Sequence, residues 1–177
     1  MYLISIYFDE KTDKKIRNLI NHVAQKTDNH FMDANHVPPH ITVSAIETKR
    51  EQEVIGCLEI IAQGLQAETI QWVSIGAFLP QVIYIGPVLN LYLHELSELL
   101  FQELSKIQET IVNPYYRPFG WIPHCTIGKQ LTKEQMQQAF AILQNKFTPF
   151  TGNVVKLGIA KTNPHRDIKV WELKKIY

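Results

Sequence analysis

One short motif occurs twice in the chain, and this repetition limits the folds that the chain can adopt. Residues 39–43 read Pro-His-Ile-Thr-Val, and residues 123–127 read Pro-His-Cys-Thr-Ile. The two copies lie almost half of the 177-residue chain apart and share the pattern His-x-Thr-aliphatic after a proline. Two copies at corresponding points of two similar halves predict a single site, to which each half contributes one imidazole and one hydroxyl group.

Hydrophobic periodicity predicts the same order of strands and helices around each copy. Strands are predicted at residues 2–8, 40–46, 68–79, 81–88, 124–129, 154–161 and 168–174, with a hairpin-type turn at 163–167. Amphipathic helices are predicted around residues 16–23, 54–65, 93–107 and 136–147, with Asp9 and Thr132 at N-cap positions. Each motif is also followed, at a similar distance, by an aliphatic residue and a glycine, Gly76 or Gly158.

The economical explanation of this pattern is a β-α-β-α-β unit used twice, which usually brings a pseudo-two-fold axis. We therefore predict an α+β fold with two lobes around a central cleft. Each lobe is expected to have a small antiparallel or mixed sheet with helices on its outer face. The sequence contains no linker-like or low-complexity segment. Residues 1–177 are thus expected to form a single bilobal domain, with halves of approximately 1–80 and 81–177.

Composition narrows the class of protein further. A hydrophobic fraction of 45% predicts a buried core, and no apolar run approaches the roughly 18 residues of a membrane helix. The net charge of +1 argues against a protein that coats nucleic acid through a broad basic face, because such binding needs many phosphate contacts. The two cysteines form no disulfide or zinc pattern, and the first residues do not resemble a secretory signal, so a cytoplasmic location is predicted.

The two motifs combine residue types that suit acid–base chemistry on a phosphate. Side chains alternate across a strand, so His40 and Thr42 share one face of theirs, as do His124 and Thr126. In an in-line attack on a phosphodiester, a neutral imidazole takes a proton from water and a protonated one gives a proton to the departing oxygen. The threonine hydroxyls can donate to the non-bridging oxygens. Which histidine is the base and which the acid stays open, and no metal or cofactor is predicted.

The paired motifs resemble those of the two-histidine (2H) phosphoesterase superfamily, above all the branch of RNA 2′,3′-cyclic phosphodiesterases, also called 2′-5′ RNA ligases. The resemblance covers the whole chain in element order and includes Arg-Pro-Phe at residues 117–119, ahead of the second motif. It implies a bilobal fold and metal-independent hydrolysis of a 2′,3′-cyclic phosphate, at an RNA end or on a small nucleotide, to a 2′-phosphate. It also implies that His40 and His124 are catalytic and that Thr42 and Thr126 bind phosphate.

Two alternatives to this activity stay open. Members of the superfamily differ in substrate, so this chain could instead act as a 2′-5′ phosphodiesterase or RNA ligase. A protein that binds RNA in the same cleft without turnover is the second alternative, although such a protein has no need for two titrating imidazoles. No membrane contact and no obligatory protein partner is predicted for any of the three.

Further substrate contacts are predicted next to the second motif. Aromatic side chains in the loop before it suit stacking on a nucleobase, and nearby basic side chains suit contact with phosphate. These candidates are Tyr115, Phe119, Trp121, Arg117 and Lys129. Ordinary packing and surface exposure are the alternatives for each of them.

The other histidines and the cysteine of the second motif are interpreted as structural. Cys125 alternates with His124 and Thr126 and is expected to point into the core. His36 is interpreted as a loop residue, because the prolines at 38 and 39 exclude a helix that would bring it to His40. The remaining histidines are expected at the surface: His22, His30, His94 and His165.

Overall fold

Strands and helices follow one another along the chain as the periodicity predicts. The computed structural model describes residues 1–162 and 164–175, so Asn163 of the predicted turn lies outside the described residues. The strands are β1 (Tyr2–Phe8), β2 (Ile41–Thr48), β3 (Glu68–Phe78), β4 (Val82–Pro87), β5 (Thr110–Val112), β6 (Cys125–Gly128), β7 (Phe150–Lys161) and β8 (Arg166–Glu172). The α-helices are α1 (Glu10–Thr27), α2 (Phe31–Ala34), α3 (Glu51–Gly64), α4 (Leu91–Ser105) and α5 (Lys133–Lys146). The α+β fold class is thereby confirmed.

Both predicted N-caps are confirmed. The Asp9 carboxylate accepts a hydrogen bond from the backbone N–H of Thr12 at 2.8 Å, which satisfies a free amide in the first turn of α1. At α5, the Thr132 hydroxyl accepts from the Gln135 N–H, and the Gln135 side chain accepts from the Thr132 N–H. Each of these helices therefore begins where its sequence predicts. No described helix has the length and apolar character that crossing a bilayer requires.

The described strands form one antiparallel sheet in the order β5-β2-β1-β7-β3-β4-β6, and β8 pairs with β7. β7 joins the two lobes, because residues 150–154 pair with β3 and residues 154–161 pair with β1. The two small sheets expected from the sequence are therefore continuous through this one long strand.

Each half of the sequence contributes its last strand to the other lobe. β3, from the first half, pairs with β4, and β7, from the second half, pairs with β1. A pseudo-two-fold relation therefore matches β1, β2 and β7 with β4, β6 and β3. The helices follow the same relation, because α1 packs on β6 and α5, whereas α4 packs on β2 and α3. The expected halves, 1–80 and 81–177, thus interlock in space.

The two motif strands meet although four other strands separate them in the sheet order. β2 and β6 contact each other directly, so the sheet curves until its ends approach. Ile41 and Val43 of β2, and Cys125 and Ile127 of β6, are buried in the core, as their alternation predicts. Cys125 therefore points inward as expected, and the opposite faces of the two strands are left to line a cavity.

Candidate active site

His40, Thr42, His124 and Thr126 line one cavity of about 190 Å³. The histidines stand immediately before β2 and β6, and the threonines are the second residues of these strands. The structure thus brings the two copies of the motif to a common space. Four groups that can exchange protons or donate hydrogen bonds face the same small volume.

The two imidazoles are oriented in the same way. Nδ1 of His40 is 2.7 Å from the carbonyl oxygen of Pro38, and Nδ1 of His124 is 2.8 Å from that of Ile122. A carbonyl oxygen can only accept a hydrogen bond, so the hydrogen-bond network assigns the proton to Nδ1 in both rings. This leaves Nε2 of each histidine as the nitrogen that can take a proton or, when protonated, give one.

A tyrosine from the strand next to each motif packs beside each histidine. The ring centroid of Tyr7, in β1, lies 6.3 Å from that of His40. The centroid of Tyr84, in β4, lies 5.3 Å from that of His124. Phe78 adds an edge-on contact with His124 at 4.7 Å. The two histidines thus have matching tyrosine neighbours, and Phe78 is a further neighbour of His124.

Two glycines leave room for these tyrosines. A Cβ atom at Gly158 of β7 would lie 2.7 Å from the ring of Tyr7, and one at Gly76 of β3 would overlap the ring of Tyr84 even more closely. Neither position accepts a side chain unless the ring or the strand moves. The glycines that follow each motif at a similar spacing in the sequence therefore occupy equivalent places in the fold.

The two threonines differ in exposure. Thr42 is buried, with its Oγ1 3.4 Å from Oγ of Ser5, whereas Thr126 is half-buried. Trp121, also buried, donates from its indole nitrogen to the carbonyl oxygen of Thr42 at 2.9 Å. This bond joins the loop before the second motif to the backbone of the first motif, and so restrains the separation of the two halves of the site.

Burial determines the charge of both imidazoles. The removal of solvent around His40 lowers its pKa to about 4, although the hydrogen bond to the Pro38 carbonyl acts in the opposite direction. Burial also lowers the pKa of His124, against the effect of the Ile122 carbonyl. Both rings are therefore neutral at pH 7 in this environment. A phosphate anion bound beside them would favour the protonated form of one ring.

The expectation that His165 lies at the surface is wrong. Its side chain is only 6% exposed and lines the same cavity, with its ring centroid 5.7 Å from that of His40. Nε2 of His165 is 2.9 Å from Oδ1 of Asp167, and the Tyr7 hydroxyl donates to the same oxygen at 2.8 Å. The feature of the sequence that could have indicated a role for His165 is its spacing of two residues from Asp167 at a predicted turn. Only the pairing of β1 with β7 brings that turn to the first motif.

The five additional contacts predicted near the second motif divide into two groups. Lys129 lines the cavity, and Tyr115 and Trp121 line a wider adjoining groove of about 820 Å³. Arg117 and Phe119 are exposed and lie outside both spaces. The structure thus brings three of the five candidates to the cavity or its groove and leaves two at the surface.

The groove is continuous with the cavity, because Leu3, Phe78, Tyr116 and His124 line both. Its walls are mostly apolar, and the ring of Tyr115 within it is 81% exposed. A small polar cavity that opens into an apolar groove suits a ligand that combines an anionic group with a flat apolar one.

The curved antiparallel sheet of this chain brings its two His-x-Thr motifs to one cavity. A model of the 2′-5′ RNA ligase superfamily matches residues 12–166. The chain therefore belongs to this superfamily of phosphoesterases. No match is found among curated proteins.

Solved structures share the fold over nearly the full length of the chain. LigT of E. coli, complexed with 3′-AMP, has a TM-score of 0.57 at 16% identity, over 98% of this chain and 97% of LigT. TT0787 of Thermus thermophilus has a TM-score of 0.63 at 12% identity, over 99% of both chains. A protein described as a phosphoesterase has a TM-score of 0.63 at 15% identity, over 98% of both chains. At these identities the likeness establishes the fold.

Proposed function

We propose that this protein is a cyclic phosphodiesterase that hydrolyses a 2′,3′-cyclic phosphate, at an RNA end or on a small nucleotide, to a 2′-phosphate. The observation that carries the proposal is the matched pair of imidazoles. Each Nδ1 donates to a backbone carbonyl, so each Nε2 is the nitrogen left for proton transfer, and both rings line one common cavity. His40 and His124 are the acid and the base of this reaction, and Thr42 and Thr126 bind the phosphate.

The reaction needs a proton acceptor and a proton donor on opposite sides of phosphorus. One neutral imidazole takes a proton from water as the water oxygen forms its bond to phosphorus. The bond between phosphorus and O3′ breaks, and the other imidazole, protonated, gives its proton to O3′. The hydroxyls of Thr42 and Thr126 donate to the non-bridging oxygens as negative charge develops there. Reversal of the reaction exchanges the roles of the two histidines.

The charge of the substrate favours the protonation state that the reaction needs. Burial lowers the pKa of both His40 and His124, so both are neutral at pH 7 without an anion nearby. A cyclic phosphodiester carries one negative charge, which favours a proton on one Nε2. A second proton is opposed by repulsion between the two rings, an effect that already lowers the pKa of His40. With substrate bound, one imidazole is therefore protonated and acts as the acid, and the other is neutral and acts as the base.

The groove beside His124 supports a nucleotide as the substrate. Its apolar walls and the exposed ring of Tyr115 suit the face of a nucleobase, and Lys129 at the cavity suits a phosphate. LigT of E. coli, whose fold this chain shares, is complexed with 3′-AMP, and this also supports a nucleotide.

Cleavage or formation of a 2′-5′ linkage is the second candidate function. The same two imidazoles can act on such a bond, and a groove of about 820 Å³ leaves room for a second nucleoside. A protein that binds RNA without turnover is the third candidate, and two imidazoles that line one cavity with Nδ1 held by a carbonyl argue against it. The three candidates predict different products from the same set of substrates.

Turnover of a 2′,3′-cyclic nucleotide in excess EDTA tests the proposal. We expect the wild-type protein to release the 2′-phosphate, identified by phosphorus NMR. His40→Ala and His124→Ala should each lose about 10²–10⁴-fold in kcat, the usual contribution of one general acid or base. His22→Ala, on α1 and outside the cavity, is the matched control and should keep the wild-type rate.

Two outcomes would replace this proposal with one of the alternatives. Absence of turnover in every protein, with retained binding of RNA, would indicate a binding module. Faster product release from a 2′-5′ dinucleotide than from the cyclic monomer or a 3′-5′ dinucleotide would indicate a 2′-5′ phosphodiesterase.

A further inference from the structure

His165 lies in the cavity but has no part in the two-histidine mechanism. It stands between β7 and β8, and its ring centroid is 5.7 Å from that of His40. Its side chain is 6% exposed. A polar ring in so enclosed a place costs free energy unless its polar atoms have partners.

Contacts from three parts of the chain fix the position of His165. Its Nε2 is 2.9 Å from Oδ1 of Asp167 in β8, and the hydroxyl of Tyr7 in β1 donates to the same oxygen at 2.8 Å. Its backbone N–H donates to the carbonyl of Asn35, before β2, at 2.9 Å. The hydrogen bond from His165 is the main reason that the pKa of Asp167 is lowered, so this carboxylate is ionised at neutral pH.

These contacts use one ring nitrogen of His165 and leave the other. An ionised carboxylate only accepts hydrogen bonds, so Nε2 is the donor to Asp167. Within residues 1–162 and 164–175, Nδ1 has no hydrogen-bond partner. Because His165 lines the cavity, a ligand bound there is one partner that Nδ1 can take.

The pseudo-two-fold relation between the lobes does not extend to the rings that pack on the two motif histidines. On the other side of the cavity, the ring that packs on His124 is Phe78, at 4.7 Å. On the first side, a ring that packs on His40 is that of His165, and the Asp167 carboxylate is hydrogen-bonded to that ring. The motifs are symmetric, but the rings beside them are not, because His40 has a histidine neighbour where His124 has a phenylalanine. A requirement of folding common to both lobes would not produce this difference.

We propose that His165 is a third histidine of the site, which binds the substrate phosphate through a hydrogen bond from Nδ1 to a non-bridging oxygen. The proposal rests on the proposed function, which puts a phosphate in this cavity. No bond forms or breaks at His165, so it is a binding residue and not a proton carrier in the reaction.

The variant His165→Gln distinguishes the role of Nδ1 from that of Nε2. The glutamine amide can still donate to Asp167 from near the position of Nε2, but it has no group at the position of Nδ1. We expect kcat/KM for the cyclic nucleotide to fall about 10- to 100-fold, as for one hydrogen bond to a charged group. The inhibition constant of inorganic phosphate should rise by a similar factor. His22→Gln, outside the cavity, should change neither value, and equal constants for the two variants would overturn the proposal.

Phosphate binding to the wild-type protein tests the proposal without a substitution and without turnover. In a titration with inorganic phosphate, we expect the imidazole nitrogen signals of His40, His124 and His165 to shift together with one dissociation constant. Shifts at His40 and His124 alone would overturn the role of His165 and leave the proposed function intact. Shifts at all three, without turnover of any substrate, would support the phosphate site and overturn the phosphodiesterase. No shift at any of them would overturn both.

Discussion

The hydrogen bond from Nδ1 to the carbonyl two residues earlier determines what each motif histidine can do. In both motifs the residue between is a proline, whose ring restricts the backbone that carries this contact. The bond sets the tautomer and the ring orientation without help from another side chain. A carboxylate in the same place would raise the pKa of the ring strongly, whereas a neutral carbonyl allows burial to lower it. The result at His40 is an imidazole that stays neutral well below pH 7.

Stability should depend on pH through His40. Its pKa falls from the ordinary value of 6.5 to about 4 in the folded protein, so between these values only the unfolded chain binds the proton. Stability is therefore lost as the pH falls from 6.5 to 4, by about 3 kcal/mol from this group. His40→Asn keeps a side-chain N–H for the Pro38 carbonyl and cannot titrate. Urea unfolding at pH 7 and at pH 4.5 should show a smaller loss for this variant than for wild type.

The comparison needs a control because other groups also titrate in acid. Asp9 and Asp167 have lowered pKa values in the fold and lose stabilisation as the pH falls through them. His22→Asn retains these groups and His40, so it should follow wild type. The same loss of free energy of unfolding in all three proteins would contradict a lowered pKa of His40.

At the scale of elements, a glycine on one strand and a tyrosine on the next form the support of each histidine. Gly158 of β7 accommodates Tyr7 of β1, and Gly76 of β3 accommodates Tyr84 of β4. Glycine normally weakens a strand, so its presence beside a tyrosine ring in both lobes requires a reason such as close approach of another group. The approach of the tyrosine ring is that reason, and it connects the pairing of strands to the position of the imidazoles.

Gly158→Ala should destabilise the protein, whereas Gly56→Ala should stabilise it. A Cβ at Gly158 would lie 2.7 Å from the Tyr7 ring and 3.2 Å from the carbonyl oxygen of Lys169, so the strand or the ring must move, at about 1–3 kcal/mol. Gly56 is exposed on α3 with open space at Cβ, so alanine should add about 0.5–1 kcal/mol of stability. Thermal unfolding measures both changes. An unchanged melting temperature for Gly158→Ala would mean that Tyr7 is not confined as described.

Local sequence signals predicted the elements but not their exchange between lobes. The caps of α1 and α5 and the β7–β8 hairpin depend on residues that are close in the chain. The local sequence therefore predicted them correctly. The short α2 and β5 were not predicted, because four and three residues carry too little periodic signal. The pairing of β7 with both β1 and β3 joins distant residues and has no local signature. His165 was missed for that reason, whereas the duplicated motif itself predicted that His40 and His124 share a site.

At the scale of the whole molecule, the exchange of strands makes each lobe incomplete without the other. β7 takes part in both lobes, and without it β1 and β3 would each have an unpaired edge. Trp121 adds a hydrogen bond from the loop before the second motif to Thr42 of the first. The position of the two imidazoles relative to each other therefore depends on the integrity of both lobes, and neither half of the chain can form the site alone.

Unfolding in urea should accordingly be one transition for both lobes. Trp72 lies in β3, Trp171 in β8 and Trp121 in the loop before the second motif, so the three indoles report on different regions. Fluorine NMR of protein labelled with fluorotryptophan follows all three in one molecule and needs no substitution. We expect the three folded signals to disappear with the same midpoint, because coincident transitions are the mark of a cooperative unit. A lower midpoint for Trp171 than for Trp72 would mean that the lobes unfold separately and that β7 does not couple them.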